Sequence, residues 1–432
     1  MTQGGDPVPT EKEPGRENVP PDRQVEPVIL GRAGHRISRN DIDPDALHIL
    51  YRLERLGFTA YLTGGAVRDL MLGRSPKDFD IVTDARPGQI KKRFRNVYII
   101  GRRFRLAHVH FQQGKIIEVA TFRKDPETGP KDNPEAKTEQ ENPYGTPRQD
   151  AFRRDITINA LFYDAVTGCV VDYVGGIEDL ARRRVRIIGD PAARYIEDAV
   201  RIWRVIRYAA RLGFEIEEAT EKAIHSHGHL LATSSGARLY EEFNKDLVYE
   251  TRPIFEALRR YGILKHILGR AGADYEADPV MFSRLGSLLE IKDRAVAAGF
   301  ELAPEETCAL VFWPWVEGLF SGAPGDLHSV LNNAFESARM GATLPRSLRA
   351  NFIQILIIVG NMIRALRTGH MRWSLERRSH YPQAARVFFL IEKGRPPEHG
   401  ESFERLFRQA YPSGQKSRQR RGWRPRNRAG FI

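Results

Sequence analysis

The sequence predicts an α+β head followed by a long all-α neck and body, with a disordered N-terminal segment and a basic tail. Three observations carry that prediction. Between residue 43 and about residue 190, short strand-like apolar runs are interleaved with helical patterns. After Pro191 apolar residues recur every three or four positions, as in Ile196, Val200, Trp203, Ile206 and Ala210, and strand patterns are scarce as far as about 410. The two ends, 1–40 and 411–432, hold prolines and charges with scarcely any core formers.

The elements follow in order. Asp43-Pro44 supplies an N-cap and a first-turn proline, opening a helix whose Leu47, Leu50, Leu53 and Leu56 keep helical spacing until Gly57 stops it. FTAYLT reads as a strand, GGAVRD as a helix N-terminus, and DFDIVT as a second strand. A helix over Pro87–Arg95 precedes three further strands, NVYII, RLAHVHF and KIIEVATF. Lys124 to Gln149 is polar, Pro- and Asn-rich and without apolar period, so it reads as a long loop. RRDITINA (Arg153–Ala160) reads as a helix start, and Ile196–Phe214 as one amphipathic helix ending at a Gly213 C-cap.

Composition narrows the function. A chain of 432 residues has room for two to four domains. A net charge of +12 asks for an anionic partner, nucleic acid first and an acidic membrane surface second. Cys169 and Cys308 stand alone and far apart, which excludes a zinc ribbon and a disulfide framework and fits a reducing compartment. The N-terminus has no apolar signal region and no run of 18 apolar residues occurs, so a soluble, cytoplasmic protein is expected.

Residues 64–80, GGAVRDLMLGRSPKDFD, carry the sharpest chemistry. Asp78 and Asp80 stand two apart in a strand-like stretch and so share a face, where their repulsion asks for a cation. Mg²⁺ suits such a pair, because it takes one or two carboxylates together with substrate phosphates. Backbone N–H groups at Gly64 and Gly65, with Arg68 beside them, form an anion site. A phosphate holder next to a metal holder reads as a nucleotide site. Glu118 in IIEVATFR would complete a three-carboxylate cluster for two Mg²⁺ if its strand pairs beside DFD; otherwise it is an outward, solvated Glu.

Other sets stay open on spacing alone. Arg153 and Arg154 before Asp155, with Asn159 following, suit bidentate phosphate recognition, although Arg153–Asp155 could equally be a surface pair. Asp198, Arg201 and Arg204 offer an acceptor and donors on one helix, but the spacing by itself favours a helix-stabilising Glu197–Arg201 pair. Arg102, Arg103 and Arg105 lie between strand residues as a solvated edge or an RNA track. Arg418, Arg420 and Arg421 belong to a tail with seven Lys/Arg between 416 and 428 and no acid, suited to holding RNA electrostatically.

Taken together these residues resemble the class II branch of the polymerase β-like nucleotidyltransferases, which holds bacterial poly(A) polymerases and enzymes that build the CCA end of tRNA. The resemblance runs from about 43 to at least 245. The phosphate loop falls on Gly64, Gly65, Val67, Arg68 and Asp69, and the metal-binding D-x-D on Asp78 and Asp80, with Glu118 as the third carboxylate. The R-R-D-x-T-I-N-A motif falls on Arg153, Arg154, Asp155, Thr157, Ile158, Asn159 and Ala160, and the base-selecting E-D-x-x-R on Glu197, Asp198 and Arg201. GRRFRLAHV (Gly101–Val109) looks like the poly(A) polymerase variant, while the acidic 124–149 loop departs from the branch pattern.

The resemblance implies a head over 41–190, a base-recognising helical neck over 191–250, an RNA-binding helical body over 251–410 and a tail over 411–432. It implies addition of AMP from ATP to RNA 3′ ends by a monomer, with two Mg²⁺ (Mn²⁺ as substitute) on Asp78, Asp80 and Glu118, and Asp155 among the catalytic residues. RNA-degradation machinery is the expected protein partner. The alternatives are a CCA- or A-adding tRNA nucleotidyltransferase and, further off, a non-catalytic RNA-binding protein on the same scaffold.

Overall fold

Residues 26–101, 105–124, 144–248, 250–321, 326–370 and 373–410 are described in the computed structural model. The chain divides into two compact units between His227 and Gly228.

The first unit opens with β1 (Val28–Leu30), α1 (Pro44–Arg55), β2 (Ala60–Thr63), α2 (Gly65–Met71) and β3 (Asp80–Thr83). It continues with α3 (Pro87–Arg93), β4 (Val97–Ile100), β5 (Leu106–His110), β6 (Ile116–Thr121) and α4 (Pro147–Phe152). Then come β7 (Phe162–Asp164), β8 (Cys169–Asp172), α5 (Gly176–Ala181), β9 (Arg184–Val185) and α6 (Pro191–Glu197). It closes with α7 (Val200–Leu212), β10 (Glu215–Ile216) and α8 (Glu218–His227). Eight strands form one mixed sheet in the order β1-β8-β7-β2-β3-β6-β5-β4, and β9 and β10 form a separate parallel pair.

Within the large sheet every described neighbour is antiparallel except β3 and β6, which run parallel with Ile81 opposite Val119. Parallel neighbours bring equivalent ends together, so the start of β3 at Asp80 lies beside Glu118 on β6. Ile81, Ala107, Val109, Ile117 and Val119 are buried on one face, the side on which α1 and α3 pack. The other face holds Val82, Phe122 and Phe162 in a core with Ala151, Ala160 and Ile188.

Local sequence explains the boundaries. Asp43 caps α1 as expected, accepting from the Asp45 and Ala46 N–H groups at 2.9 and 3.3 Å. Three expectations change. The segment 1–40 is not wholly disordered: Val28–Leu30 is an edge strand with Ile29 opposite Val171, and His35 Nε2 donates to the Gly168 carbonyl at 2.8 Å. Residues 1–25 lie outside the described residues.

Arg153 does not open a helix. It caps the end of α4, Ile156 is extended, and Thr157–Asn159 make a single 3₁₀ turn. The β-branched run Ile156-Thr157-Ile158 disfavours a helix, and the Thr157 hydroxyl is drawn off to Asp179 at 2.6 Å. Nor is Ile196–Phe214 one helix: α6 ends at Asp198 (φ −152°, ψ 95°) and α7 begins two residues on. An aspartate competes with the helix for backbone donors, and here its carboxylate accepts from the Val200 N–H at 3.2 Å. Gly213 (φ 65°) does end α7 as foreseen.

The second unit is helical throughout its described residues. It runs α9 (Gly236–Val248), α10 (Thr251–Arg260), α11 (Leu264–Leu268), α12 (Arg270–Ala277) and α13 (Pro279–Ala297), then α14 (Pro304–Val316), α15 (Leu327–Ser337), α16 (Arg346–Thr368), α17 (Tyr381–Lys393) and α18 (Phe403–Ala410). By length and composition α16 could cross a membrane, yet 67% of its most apolar window is buried inside the protein, as in a core helix. Its Phe352 packs against Phe312 of α14 and Phe335 of α15, with ring centroids 5.0 to 5.6 Å apart among the three. Buried Glu306 accepts two bonds of 2.7 Å from Arg386, which joins α14 to α17.

Gly176 shows how closely the first unit is packed near its site. A Cβ there would stand 2.4 Å from the Thr157 carbonyl oxygen, whereas Gly88 has nothing within 4 Å. Gly176→Ala should therefore cost about 1–3 kcal/mol by overpacking, and Gly88→Ala should be neutral or slightly stabilising. Urea unfolding of both variants checks this, and equal midpoints would contradict it.

Candidate active site

The site forms where β2, α2, β3 and the 150–159 segment meet. β2 delivers the chain to Gly64, whose φ of 71° a side chain would strain, and α2 starts at once. The space beside Gly64 is bounded by Asp80 Oδ2 and Arg154 Nη1, 3.6 and 3.8 Å from where a Cβ would stand. Glycine thus leaves open a gap between a carboxylate and a guanidinium. Arg68, on the next turn of α2, is buried and faces the same region. It donates to Asp69 at 2.9 Å and to Asn159 Oδ1 at 2.8 Å, and its guanidinium lies 5.3 Å from the centre of the Tyr208 ring on α7.

Arg154 is held from behind. Asp150 has no solvent exposure and accepts from Arg154 Nε and Nη2 at 3.1 and 2.8 Å through Oδ2, and from Arg153 Nε at 2.9 Å through Oδ1. Arg154 Nη1 donates to the Asn159 carbonyl at 3.1 Å, and Phe162 lies under the guanidinium at 5.4 Å. Burial alone would raise the Asp150 carboxyl; the charges of Arg154 and Arg153 and their hydrogen bonds outweigh it and hold it below the usual range.

Asp80 behaves in the opposite way. β3 begins at Asp80, and Asp78 lies in the loop just before it. The Asp80 carboxyl is pushed up to about 6 by dehydration and by the charges of Glu118 and Asp78, against the pull of Arg154. Its side chain opens to solvent, so the like charges are the more durable part of that shift. Three hard oxygen donors with uncompensated charge suit a divalent cation. They are not gathered as ligands, however: among the described residues no three His, Cys, Asp or Glu side chains converge on one metal position. Glu118 Oε1 instead pairs with His108 Nε2 at 3.3 Å.

Asp155 was expected to be catalytic, but both its oxygens are engaged. Oδ1 accepts from Arg201 Nε at 2.9 Å and Oδ2 from Arg204 Nη1 at 2.6 Å. Burial would raise its carboxyl too, yet Arg204 and then Arg201 hold it low. Asp155 thus ties the 153–159 segment to α7. Arg201 is 8% exposed, and its Nη1 also donates to Glu197 and to the Arg194 carbonyl, at 2.5 and 3.0 Å. Both the helix pair read from spacing and the longer tie to Asp155 therefore exist.

Arg105 is exposed just before β5. Arg102, Arg103, Arg418, Arg420 and Arg421 lie outside the described residues, as does most of the 124–149 loop. The sequence reading missed Asp150, His108 and Asp179, which is fully buried and accepts from Thr157, Arg184 and Arg186. Asp150 had a signal, since it stands three and four residues before Arg153 and Arg154. His108 and Asp179 had none, because their partners depend on strand register and on a turn.

Comparison with known proteins agrees with this geometry. Residues 60–186 match the family model described as "Poly A polymerase head domain", and residues 213–271 match "Probable RNA and SrmB- binding site of polymerase A". Poly(A) polymerase I of Salmonella typhimurium is 36% identical over 438 residues, covering 93% of this chain and 92% of that protein. The CCA-adding enzyme of Bacillus pumilus is 39% identical over 201 residues, 46% of this chain and 48% of the relative. Among solved structures, the Bacillus stearothermophilus CCA-adding enzyme in complex with CTP superposes with a TM-score of 0.62 at 25% identity, over 86% of this chain and 83% of that one. Fold, site and relatives define a nucleotidyltransferase. The chain belongs to the poly(A) polymerase family.

Two outcomes follow from the site. Asp80→Asn should reduce nucleotide incorporation at least a hundred-fold while leaving the unfolding midpoint equal to or above the parent's, because it removes charge where a cation is needed and relieves repulsion otherwise; retention of a tenth of wild-type turnover would contradict this. Asp150→Asn should cost on the order of 3 kcal/mol at pH 7, since it leaves two arginines without their buried anion. A carboxyl whose folded pKa is depressed contributes stability above its unfolded value near 4, and that contribution is lost as pH falls through the folded value. Urea midpoints from pH 7 to 3 should therefore fall more steeply for the parent than for Asp150→Asn, and parallel curves would refute the assignment.

Proposed function

We propose that this chain is a template-independent poly(A) polymerase, which adds AMP from ATP to RNA 3′ ends and releases pyrophosphate. The observation that carries this reading is the match to poly(A) polymerase I across 93% of the chain and 92% of the relative, where the CCA-adding relative matches less than half of each. Soluble, cytoplasmic action on RNA ends fits the core placement of α16 and the net charge of +12.

The chain's own groups divide the work. The Gly64 and Gly65 backbone and Arg68 cradle the triphosphate at the start of α2, while Arg154, fixed by Asp150, faces the α-phosphate of the adenylyl group that is transferred. The RNA 3′ hydroxyl attacks the α-phosphorus in line, and pyrophosphate leaves. Asp78, Asp80 and Glu118 would hold two Mg²⁺, which Mn²⁺ could replace, once Glu118 turns from His108. Bound there, the ions would lower the pKa of the attacking hydroxyl and neutralise the leaving group. Asn159 keeps Arg68 and Arg154 in register. Asp198 and Arg201, at the α6–α7 break, select adenine by presenting an acceptor and a donor.

Incorporation of each of the four NTPs onto oligo(A) and onto tRNA lacking its CCA end tests the reading. The expected result is ATP-dependent extension of oligo(A) by many residues with little use of CTP; addition of CCA to tRNA alone would replace it with the tRNA-repair reading. Asp198→Ala, which spares the Arg201–Asp155 tie, should lower the ATP-to-CTP ratio about ten- to hundred-fold through loss of one polar partner of the base. An unchanged ratio would place base selection elsewhere.

A further inference from the structure

The outer half of the large sheet carries an open face that its own fold does not explain. Register places Asp80, Glu118, His108 and Tyr98 in a row across β3, β6, β5 and β4, because Glu118 stands opposite His108 and His108 opposite Tyr98. Side chains opposite one another share a face, so the face that bears the catalytic carboxylates continues outward to the edge strand. The far side of these strands is packed, with Val97, Ala107, Val109, Ile117 and Val119 all under 9% exposed. A sheet with one packed face normally turns polar residues to water on the other. Here the open face presents Tyr98, Ile100 and Ile116 at 59, 48 and 45% exposure. His110, diagonal to Tyr98, meets its ring edge-on with centroids 4.8 Å apart, which fixes the orientation of the tyrosine.

We infer that this face, Tyr98 and His110 above all, is the platform on which the last bases of the RNA 3′ end stack while the terminal hydroxyl reaches the carboxylates. The inference rests on the adenylyl-transfer reading above and names where its RNA substrate lies. Continuity is the first argument. The reacting hydroxyl must come to Asp80 and Glu118, and two strand spacings, about 10 Å, carry one from Glu118 to Tyr98. That span suits the terminal one or two nucleotides. Chemistry is the second. Single-stranded RNA is held without sequence preference by aromatic faces beside positive charge, and exposed Arg105 immediately precedes β5, the strand that carries His108 and His110. A protein partner would be expected to want a larger and more continuous apolar patch than three spaced side chains.

The test uses the full chain and a 5′-fluorescein oligo(A) twelve-mer, with binding read by anisotropy in the absence of ATP. Tyr98→Ala should weaken binding roughly ten-fold or more, as the loss of one base–aromatic stack does, and Tyr98→Phe should stay within about two-fold of the parent. In turnover assays the effect should fall on KM for RNA and leave KM for ATP unmoved. Ile29→Ala, at an equally exposed position on the opposite edge of the sheet, should bind as the parent does. An oligo(A) carrying 4-thiouridine at its 3′ end should cross-link to the peptide bearing Tyr98 or His110, and one carrying it at the 5′ end should not. Parent-like binding by Tyr98→Ala, a loss in Tyr98→Phe as large as in Tyr98→Ala, or a 3′ cross-link elsewhere would overturn the platform. If oligo(A) binds and cross-links here but is never extended, the adenylyl-transfer reading fails and the platform stands. If the parent extends oligo(A) while Tyr98→Ala binds normally, the platform fails alone.

Discussion

A fully buried carboxylate, Asp150, fixes the position of Arg154, and the geometry of the site depends on that pair. Arg154 is the positive group next to Asp80, the floor beside Gly64 and, through the Asn159 carbonyl, the neighbour of Arg68. A guanidinium free to swing would fold onto Asp80 and neutralise it. Two bonds to Asp150 and the Phe162 face beneath it prevent this, so repulsion among Asp78, Asp80 and Glu118 is left standing. The site stays anionic at the metal end and cationic at the phosphate end, a few ångströms apart. A nucleoside triphosphate with its metal ions needs that separation.

Topology brings the two ends together. The hairpin of β2 and β3 encloses α2, so the glycine turn and Asp80 come from one short stretch of chain. The parallel pairing of β3 with β6 then places Glu118 beside Asp80 although 38 positions separate them in the sequence. A second buried anion, Asp179, holds Thr157, Arg184 and Arg186 and so fixes the turn that carries Asn159. Asp155 ties the same segment to α7 through Arg201 and Arg204. Buried aspartates that each receive two or more arginine or hydroxyl donors thus form the frame behind the substrate-facing groups. They work because every oxygen is satisfied, without which their burial would be costly.

Local chemistry was legible in the sequence where it is written locally. The Asp43-Pro44 cap, the Gly213 stop, the glycine pair opening α2 and the β4–β6 strands all followed from residues a few positions apart. The failures have physical reasons. β7 is buried on both faces and shows no alternation, and β1 is too short to stand out from a polar segment. The break at Asp198 was hidden because the apolar stripe continues through it, and only the aspartate's appetite for backbone donors marks it. Arg153–Ala160 carried the right residues but not their geometry. Asp155, Asn159 and Arg201, expected as substrate contacts, also bond to other residues of the same set.

If Asp150 serves the reaction only through Arg154, a double-mutant cycle will show the two acting as one. Single-turnover AMP incorporation onto oligo(A) would be measured for the parent, Asp150→Asn, Arg154→Met and the double variant, at a temperature where all four are folded. Arg154→Met should lose most of the rate, and removing Asp150 from that background should change it by less than about two-fold, the signature of two groups acting as a unit. Full additivity of the two losses would contradict it.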